Sequence, residues 1–405
     1  MGTFLLNIVG SFVVFYPIVM SLLWMLGSLF HRILVLLCSV KLPNEQPKVS
    51  ILLPCFNEEQ TIEATVDGLL KLKYKHYELV MINDKSTDNT LDKMHEIVDK
   101  YPNREIKILD MPENGGKARG LNAALKTVDT DYVMVVDSDS YVASDALEHL
   151  MAMLLSDESY GAVTGAPIIQ NRTTLLGKLQ TLEYIGIIGN IKRAQSLYFN
   201  HVMTISGVLV CYRVSALRDI NYFNPKAMTE DIDATWRLYM QKYNVGYQPQ
   251  ARCYILAPES IKGLFRQRTR WAVGGLEVLT TYIKKFKQCA WAERFLLIEM
   301  IFSNFWAISM MFSMSLYVLN YLTTGHLPMH GVIMFISLLI GIAQFYIGYI
   351  GERKAAELNV ADRMLVPVYL FMYWLMNLFT ALAAMWSVLT KQSGDGKWES
   401  SDRGL

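Results

Sequence analysis

DYVMVVDSDSY, residues 131–141, is the stretch from which the fold can be worked out. Tyr132 to Val136 are apolar or β-branched, the composition of a strand buried in a parallel sheet. The run ends on Asp137-Ser138-Asp139, two carboxylates two residues apart beyond the strand's carboxyl end. In an open α/β sheet that edge is where ligands bind. Two carboxylates there make a hard, oxygen-rich site suited to Mg²⁺ or Mn²⁺ carrying a diphosphate. A lone acidic pair at this spacing is more often a solvated turn, so the weight falls on what surrounds it.

Upstream, three more strand–helix pairs precede it. The strand VSILLPCFN leads into a helix from about Glu58 to Leu72, ELVMIND into one from about Thr87 to Lys100, and IKILD into one from about Gly116 to Thr127. A further helix from about Ser144 completes the fourth unit. Four βα units in sequence predict a mostly parallel, Rossmann-like sheet covered by helices on both faces. Right-handed crossovers bring the strand ends to one edge. The region from about Gly161 to Ala257 is less periodic; strands are expected at AVTGAPII, HVMTISGVLV and RCYILA. Helices are expected from about Leu176 to Leu197 and at MTEDIDATWRLYMQ.

The ends of the chain are different. Of 405 residues, 52% are hydrophobic and 12% aromatic, and a mean hydropathy of +0.22 is too apolar for an ordinary soluble protein. No charge interrupts Phe4 to Phe30, a run long enough to cross a bilayer core of ~30 Å. It lacks the basic start and small-residue cleavage site of a secretory signal. Pro17 is tolerable within it if a neighbouring helix satisfies the freed carbonyl. Arg32, Lys41 and Lys48 follow, which puts the next domain in the cytoplasm by the positive-inside rule. Residues 260–287 are amphipathic and basic, with Arg266, Arg268, Arg270, Lys284, Lys285 and Lys287 among aromatic residues. They suit helices at the cytoplasmic membrane face, although a solvated helix on the globular domain has the same pattern. Three further apolar runs lie near 295–322, 331–350 and 364–389, and the charged GERKAAELNVADR between the last two fits a cytoplasmic loop.

The expected organisation is therefore an N-terminal transmembrane segment (1–40), a cytoplasmic α/β domain (41–257), interfacial helices (258–290), about three transmembrane helices (291–390) and a tail (391–405). A net charge of +1 offers no electrostatic support for nucleic-acid binding. Cys38, Cys55, Cys211, Cys253 and Cys289 are scattered, which argues against a zinc site or disulfide framework. They read as small buried hydrophobes.

Four further motifs carry potential chemistry. Asp84 ends the second strand in NDKSTDNT; alone it is a turn residue, but at this edge it can accept the imide N–H of a uracil. The Pro54–Glu58 loop lies beside it. ENGGKARGLN sets Gly115 and Gly116 before a helix with Lys117 and Arg119 in its first turn, an arrangement that favours anions without being a P-loop. Thr229-Glu230-Asp231 is either an acidic helix N-terminus or the source of a base for an acceptor hydroxyl; spacing alone favours the first. A like-charged neighbour such as Asp233 would raise the pKa of that base. In Gln267-Arg268-Thr269-Arg270-Trp271, arginine suits a diphosphate and Trp271 offers a flat face to a sugar, while both also anchor interfacial helices.

PCFNE, NDKSTDNT, DSD, TED and QRTRW occur in that order over Pro54 to Trp271. Together they resemble the membrane-embedded, processive glycosyltransferases of family 2, the group of cellulose, hyaluronan and chitin synthases, and QxxRW is the discriminating motif. NGGKARGLN, LGKLQTLEYIGIIGNIKRAQS, TISGV, MTEDID, QRTRWAVGGLEVL and the tail KWESSDRG are similar to the bacterial synthases of poly-β-1,6-N-acetylglucosamine in biofilms. The departures are Lys85 where Gly is common and a short, apolar N-terminal segment.

The resemblance implies a GT-A fold and an inverting, processive transfer of N-acetylglucosamine from UDP-GlcNAc to a growing polysaccharide at the plasma membrane. It implies that Asp84 holds the uridine, with Pro54, Asn57, Glu58 and Lys117 around the nucleotide. Asp137 would sit near ribose and diphosphate, and Asp139 would ligate Mg²⁺ or Mn²⁺. Asp231 would be the general base with Glu230 beside it, and Gln267, Arg270 and Trp271 would bind diphosphate and acceptor. A small membrane accessory subunit is implied as well. The alternatives are a hyaluronan- or cellulose-type synthase, a single-transfer glycolipid enzyme, or a transporter or scaffold with a nucleotide-binding domain. The apolar runs hold few ionisable residues, chiefly Glu299, which weakens transport.

Overall fold

A computed structural model describes residues 2–37, 42–325, 331–356 and 358–390. Helix α1 (Gly2–Leu37) precedes a run of alternating elements: β1 (Val49–Cys55), α2 (Ile62–Leu69), β2 (Tyr77–Asn83), α3 (Thr90–Lys100), β3 (Ile106–Asp110), α4 (Lys117–Ala124) and β4 (Tyr132–Val136). All four strands pair in parallel in the spatial order β3-β2-β1-β4. Successive residues face opposite sides: Leu52, Val80, Ile82, Val133 and Val135 enter one core, and Ile51, Leu53, Met81, Met134 and Val136 the other. With both faces buried the strands need unbroken apolar runs, which is why they were legible. The order reverses between β1 and β4, so PCFNE and DSD flank a topological switch point.

The remainder is mixed. After β5 (Tyr141–Val142) and α5 (Ala146–Ser156) comes β6 (Tyr160–Ile169), then α6 (Leu175–Glu183), a π-helical turn (Tyr184–Ile188) and α7 (Gly189–Phe199). β7 (Leu209–Arg213), α8 (Val214–Asp219), α9 (Glu230–Met240) and β8 (Asn244–Ile255) complete the sheet. Its full order is β3-β2-β1-β4-β7-β6-β8-β5, with β7 antiparallel to β4 and to β6.

Two expectations change here. The helix expected near 176–197 is interrupted by the π turn. The strand expected at HVMTISGVLV begins only at Leu209, because side chains take the preceding N–H groups. Val202 N–H donates to Tyr239 Oη (2.9 Å), Met203 N–H to Gln195 Oε1 (2.8 Å), Ile205 N–H to Thr235 Oγ1 (3.0 Å), and Gly207 N–H to Asp231 Oδ2 (3.0 Å). Backbone donors satisfied in this way have no need of a ladder.

Helix α10 (Ile261–Tyr282), capped by the Ser260 hydroxyl, runs into a 3₁₀ turn (Ile283–Gln288) and then α11 (Trp291–Thr324), α12 (Gly331–Ala356), α13 (Val360–Arg363) and α14 (Val366–Leu389). Among the described residues three helices are long and apolar enough to cross a membrane: Val9–Leu37, Trp291–Thr324 and Val366–Leu389. In α12 the apolar part, Ile336–Ile350, is shorter. α12 also runs on into the connector expected as a loop, as far as Ala356, and α13 (Val360–Arg363) takes up its end. Pro17 leaves the Val13 carbonyl without its helical partner, and Trp306 Nε1 from α11 donates to that carbonyl at 2.8 Å. Cys55, Cys211, Cys253 and Cys289 are buried thiols; Cys38 and the tail motif at 398–404 lie outside the described residues.

One carboxylate fastens α1 and α12 to the sheet. Glu352 of α12 meets Arg32 of α1 (3.6 Å), Arg252 of β8 (3.4 Å) and Arg193 of α7. Asn190, also on α7, accepts from Ser28 of α1 at 2.6 Å and donates to the Gln344 carbonyl of α12 at 2.9 Å.

Candidate active site

Asp84 is buried at the end of β2, and its carboxylate is already engaged. Oδ1 accepts the Gly115 N–H at 3.0 Å and Oδ2 the Gly116 N–H at 2.8 Å. The backbone donors expected to attract a phosphate at ENGGK therefore hold the protein's own acid. Each carboxylate oxygen still has a second lone pair for a ligand. The Pro54–Glu58 loop is tied to the same unit: Asn57 Oδ1 accepts the Thr87 N–H (2.8 Å), and Glu58 N–H donates to Thr90 Oγ1 (2.7 Å). Lys85 has φ of +58°, a conformation that favours glycine, so the Lys at this position carries backbone strain that a glycine would avoid.

Lys117 lies elsewhere than a phosphate-binding lysine was expected. Its Nζ sits between the two acidic motifs, 2.6 Å from Asp137 Oδ1 and 3.2 Å from Glu230 Oε1, and it also donates to the Gly207 carbonyl at 3.1 Å. Burial opposes its charge, but Asp137 and Glu230 outweigh burial and hold its pKa above the ordinary lysine range. The same ammonium, with Arg270, keeps Glu230 below the usual carboxylate range despite its burial.

Asp231 behaves differently from the acid next to it. Burial first, then the Glu230 charge, push its pKa up to about 6, against the opposing pull of Lys117, the Gly207 N–H and Arg270. Asp233, expected to supply the repulsion, instead pairs with Arg237 at 2.6 Å. Two neighbouring carboxylates are thus driven apart, one ionised and one poised to take a proton near neutrality. An acid raised in this way is favoured in its protonated form by the fold. Its ionisation costs stability in full above about 6, and that cost is relieved as pH falls toward the ordinary aspartate range. Any reaction that needs Asp231 ionised should slow about tenfold per pH unit below about 6. Lys117→Met should move that limb to higher pH, because it removes a cation that holds Asp231 down; a pH–rate profile of both proteins checks this.

The QRTRW helix closes over the acids. α10 meets α9 where Gly274 passes Thr229: a Cβ at 274 would overlap the Thr229 hydroxyl, whereas one at Gly275 would meet only Met300 Cε at 3.9 Å. Gly274→Ala should therefore displace the TED segment and lower activity about a hundredfold, the typical effect of a small misplacement, while Gly275→Ala changes little. Rate measurements on the two variants decide this. Arg270 is exposed, and its guanidinium acts on Glu230 and Asp231. Gln267 Oε1 is buried with no hydrogen-bond partner among the described residues. Trp271 has one ring face covered by Arg268, whose guanidinium carbon is 4.2 Å from the ring centroid. Arg268 was expected at the membrane face; it is buried against Glu183 at 2.6 Å. Lys284, Lys285 and Lys287 remain exposed, as an interfacial position needs.

Asp137 and Asp139 close β4 as the sequence predicted, both partly exposed. Among the described residues no group of three or more His, Cys, Asp or Glu side chains is placed to hold a metal. That fits Mg²⁺ or Mn²⁺, which take one or two protein carboxylates and fill the remaining positions with substrate phosphates and water. Asp137 is shared with Lys117, and Asp139 Oδ1 accepts from the Ser140 hydroxyl at 3.4 Å. Residues quoted only within longer motifs and given no role from the sequence are Ser206 and Gly207, in the irregular loop beneath Asp231, and Lys192. Lys192 is buried, donates to Ser206 Oγ at 2.6 Å, and is pushed by burial down to about 8, partly offset by Asp231. A lysine on the buried side of an otherwise ordinary helix was the one available hint.

Residues 47–274 match the family described as glycosyltransferase like family 2. A poly-β-1,6-N-acetyl-D-glucosamine synthase from Staphylococcus epidermidis is 35% identical over 412 residues, covering 97% of this chain and 98% of that protein. One from Staphylococcus aureus is 35% identical over 414 residues, with the same coverage of 97% and 98%. Among solved structures, the mannosyltransferase PcManGT from Pyrobaculum calidifontis, in complex with GDP-Man and Mn²⁺, aligns over 96% of this chain and 99% of its own with a TM-score of 0.69. At 18% identity that likeness is one of fold.

Proposed function

From the premise that this chain belongs to glycosyltransferase family 2, we propose that it polymerises N-acetylglucosamine from UDP-GlcNAc into a β-1,6-linked polysaccharide at the plasma membrane. The relatives' names support the sugar and the linkage. The observation that carries the chemistry is the separation of two adjacent carboxylates into an ionised Glu230 and an Asp231 pushed up to about 6. Asp231 takes the proton of the acceptor hydroxyl as that oxygen bonds to the sugar's C1. The bond from C1 to the diphosphate oxygen breaks, and its electron pair leaves with UDP. A single displacement turns an α-linked donor into a β-linked product with no covalent intermediate and only one base.

Asp84 and the Pro54–Glu58 loop form the nucleoside end of the site, and Asp137 lies at the ribose and diphosphate. Arg270 and Gln267 receive the diphosphate, and Trp271 the acceptor sugar. Lys117 pairs with Asp137 and keeps Glu230 ionised beside an anionic donor. A divalent cation on Asp139, when bound, neutralises charge on the diphosphate, worth several kcal/mol of transition-state stabilisation. Asp139→Ala should weaken UDP binding about tenfold or more in Mn²⁺ and leave it unchanged in EDTA, where wild type is equally weak. Titration calorimetry with and without chelator reads both, and a tenfold loss that persisted in EDTA would assign Asp139 another role.

We place the catalytic domain in the cytoplasm, supported by Arg32 and the exposed lysines after α10, and let the membrane helices line the polymer's exit. The small accessory subunit belongs to the same proposal. The decisive experiment incubates the purified membrane protein with a panel of UDP-sugars and divalent metals, sizes the product and digests it with linkage-specific hydrolases. Polymer from UDP-GlcNAc cut by a β-1,6-specific enzyme is the expected result; polymer from another sugar favours a hyaluronan- or cellulose-type synthase, and a single transfer favours a glycolipid enzyme.

A further inference from the structure

Trp271 is held from behind. The Arg268 guanidinium lies 4.2 Å from its ring centroid and 6.0 Å from that of Tyr184. Arg268 Nη2 donates to Glu183 Oε2 at 2.6 Å, with both side chains about nine-tenths buried. Glu183 is the last residue of α6, immediately before the π turn. Such turns recur at functional sites because they re-aim the residues around them. This one is wedged against α12: a Cβ on Gly186 would overlap the Phe345 ring, and Asn190 ties the Gly186 and Gln344 carbonyls together at 2.9 Å each. A chain of contacts therefore runs from a helix of the membrane region through Glu183 and Arg268 to the indole.

We propose that Glu183 and Arg268 are positioning residues that fix the partly exposed Trp271 ring, so that its accessible part grips the acceptor sugar between transfers and sets how long the polymer grows. This rests on the acceptor role given to Trp271 above. An indole with a guanidinium stacked on one face has a fixed plane, and cation–π attraction at a desolvated site is strong enough to hold it. A buried carboxylate fixes the guanidinium in turn, because arginine's planar fork meets it in a defined geometry. Neither residue has to touch the donor. Loosening the ring should release the acceptor earlier while leaving each transfer intact.

Arg268→Lys tests this with little risk to folding, since the lysine keeps the charge opposite Glu183 but cannot stack flat. In full-length protein in nanodiscs with UDP-GlcNAc, the KM for donor and the rate of UDP release should stay within about twofold of wild type, while median product length falls about threefold or more. Glu183→Gln should shorten the product in the same direction. In a Trp271→Ala background, itself short, Arg268→Lys should shorten it no further, because the two act as one unit. Glu183→Gln/Arg268→Met, which removes both charges together, should give short product at near-normal UDP release, a pattern that misfolding would not produce. Unchanged product length in Arg268→Lys would overturn the proposal, as would a shortening that is undiminished without Trp271. Wild-type protein that makes no polymer from UDP-GlcNAc would overturn the functional reading and this inference together. Wild-type polymer with length indifferent to Arg268 overturns the inference alone.

Discussion

Asp231→Asn lowers polymer synthesis about a thousandfold, roughly 4 kcal/mol of transition-state stabilisation, and leaves UDP affinity within about twofold of wild type. The substitution is nearly isosteric and keeps an oxygen for the Gly207 N–H that Asp231 Oδ2 accepts at 3.0 Å, so the loop below it stays in place. What it removes is the capacity to take a proton. The affinity should be preserved because the Arg270 guanidinium and the cation site proposed at Asp139, which would meet the donor's charge, do not change. Initial rates of UDP release with calorimetric UDP titration read the two effects separately. Near wild-type synthesis would transfer the base to another group, and Glu230 is a poor candidate because Lys117 and Arg270 keep it ionised with little affinity for a proton. Loss of UDP binding in parallel with rate would instead mean that Asp231 belongs to the donor site.

Glu352→Ala has the largest expected effect on the fold. It leaves Arg32, Arg193 and Arg252 facing one another without their shared carboxylate. Breaking a buried pair by removing one partner costs about 3–5 kcal/mol, because the surviving charge stays desolvated. Arg252 is over a third exposed along its side chain, so the lower end applies, about 3 kcal/mol. Glu105, which pairs with Lys48 on the surface at 62% exposure, provides the comparison: Glu105→Ala should change stability by about 1 kcal/mol at most. Thermal unfolding in detergent should separate the two variants clearly. Equal midpoints would mean that the Glu352 cluster adds nothing measurable to the packing and the Asn190 hydrogen bonds that join these elements.

The parallel half of the sheet was legible because burial on both faces demands unbroken apolar strands, and β1 to β4 satisfy that demand. The mixed half was legible only in part: β6 falls on the expected AVTGAPII and β8 ends in the expected RCYILA. β5 is two residues long, too short for any pattern. The segment 201–208 has strand composition, yet its N–H groups are taken by Tyr239, Gln195, Thr235 and Asp231, partners as far as 37 residues away that no local pattern can announce. Pro17 was readable as a span that needed outside help, and Trp306 supplies it.

At the site, the sequence did not show which groups the acids and Lys117 would meet. Lys117 pointed by motif toward a phosphate and lies against Asp137 and Glu230. Asp233 looked like the neighbour of Asp231 that matters, and Arg237 claims it. Both errors have one cause: spacing along a helix says which side chains share a face, whereas pKa depends on what approaches from other elements.

The most direct measurement is the position of UDP, with Mn²⁺, in an experimental structure of the full chain in a lipid disc. The uracil should lie against Asp84 and the diphosphate between Asp139 and Arg270. The side facing Asp231 should be open for an acceptor resting on Trp271. A diphosphate seated away from Asp139, or an Asp231 screened from it by the sheet, would contradict the assignment of donor site and base alike.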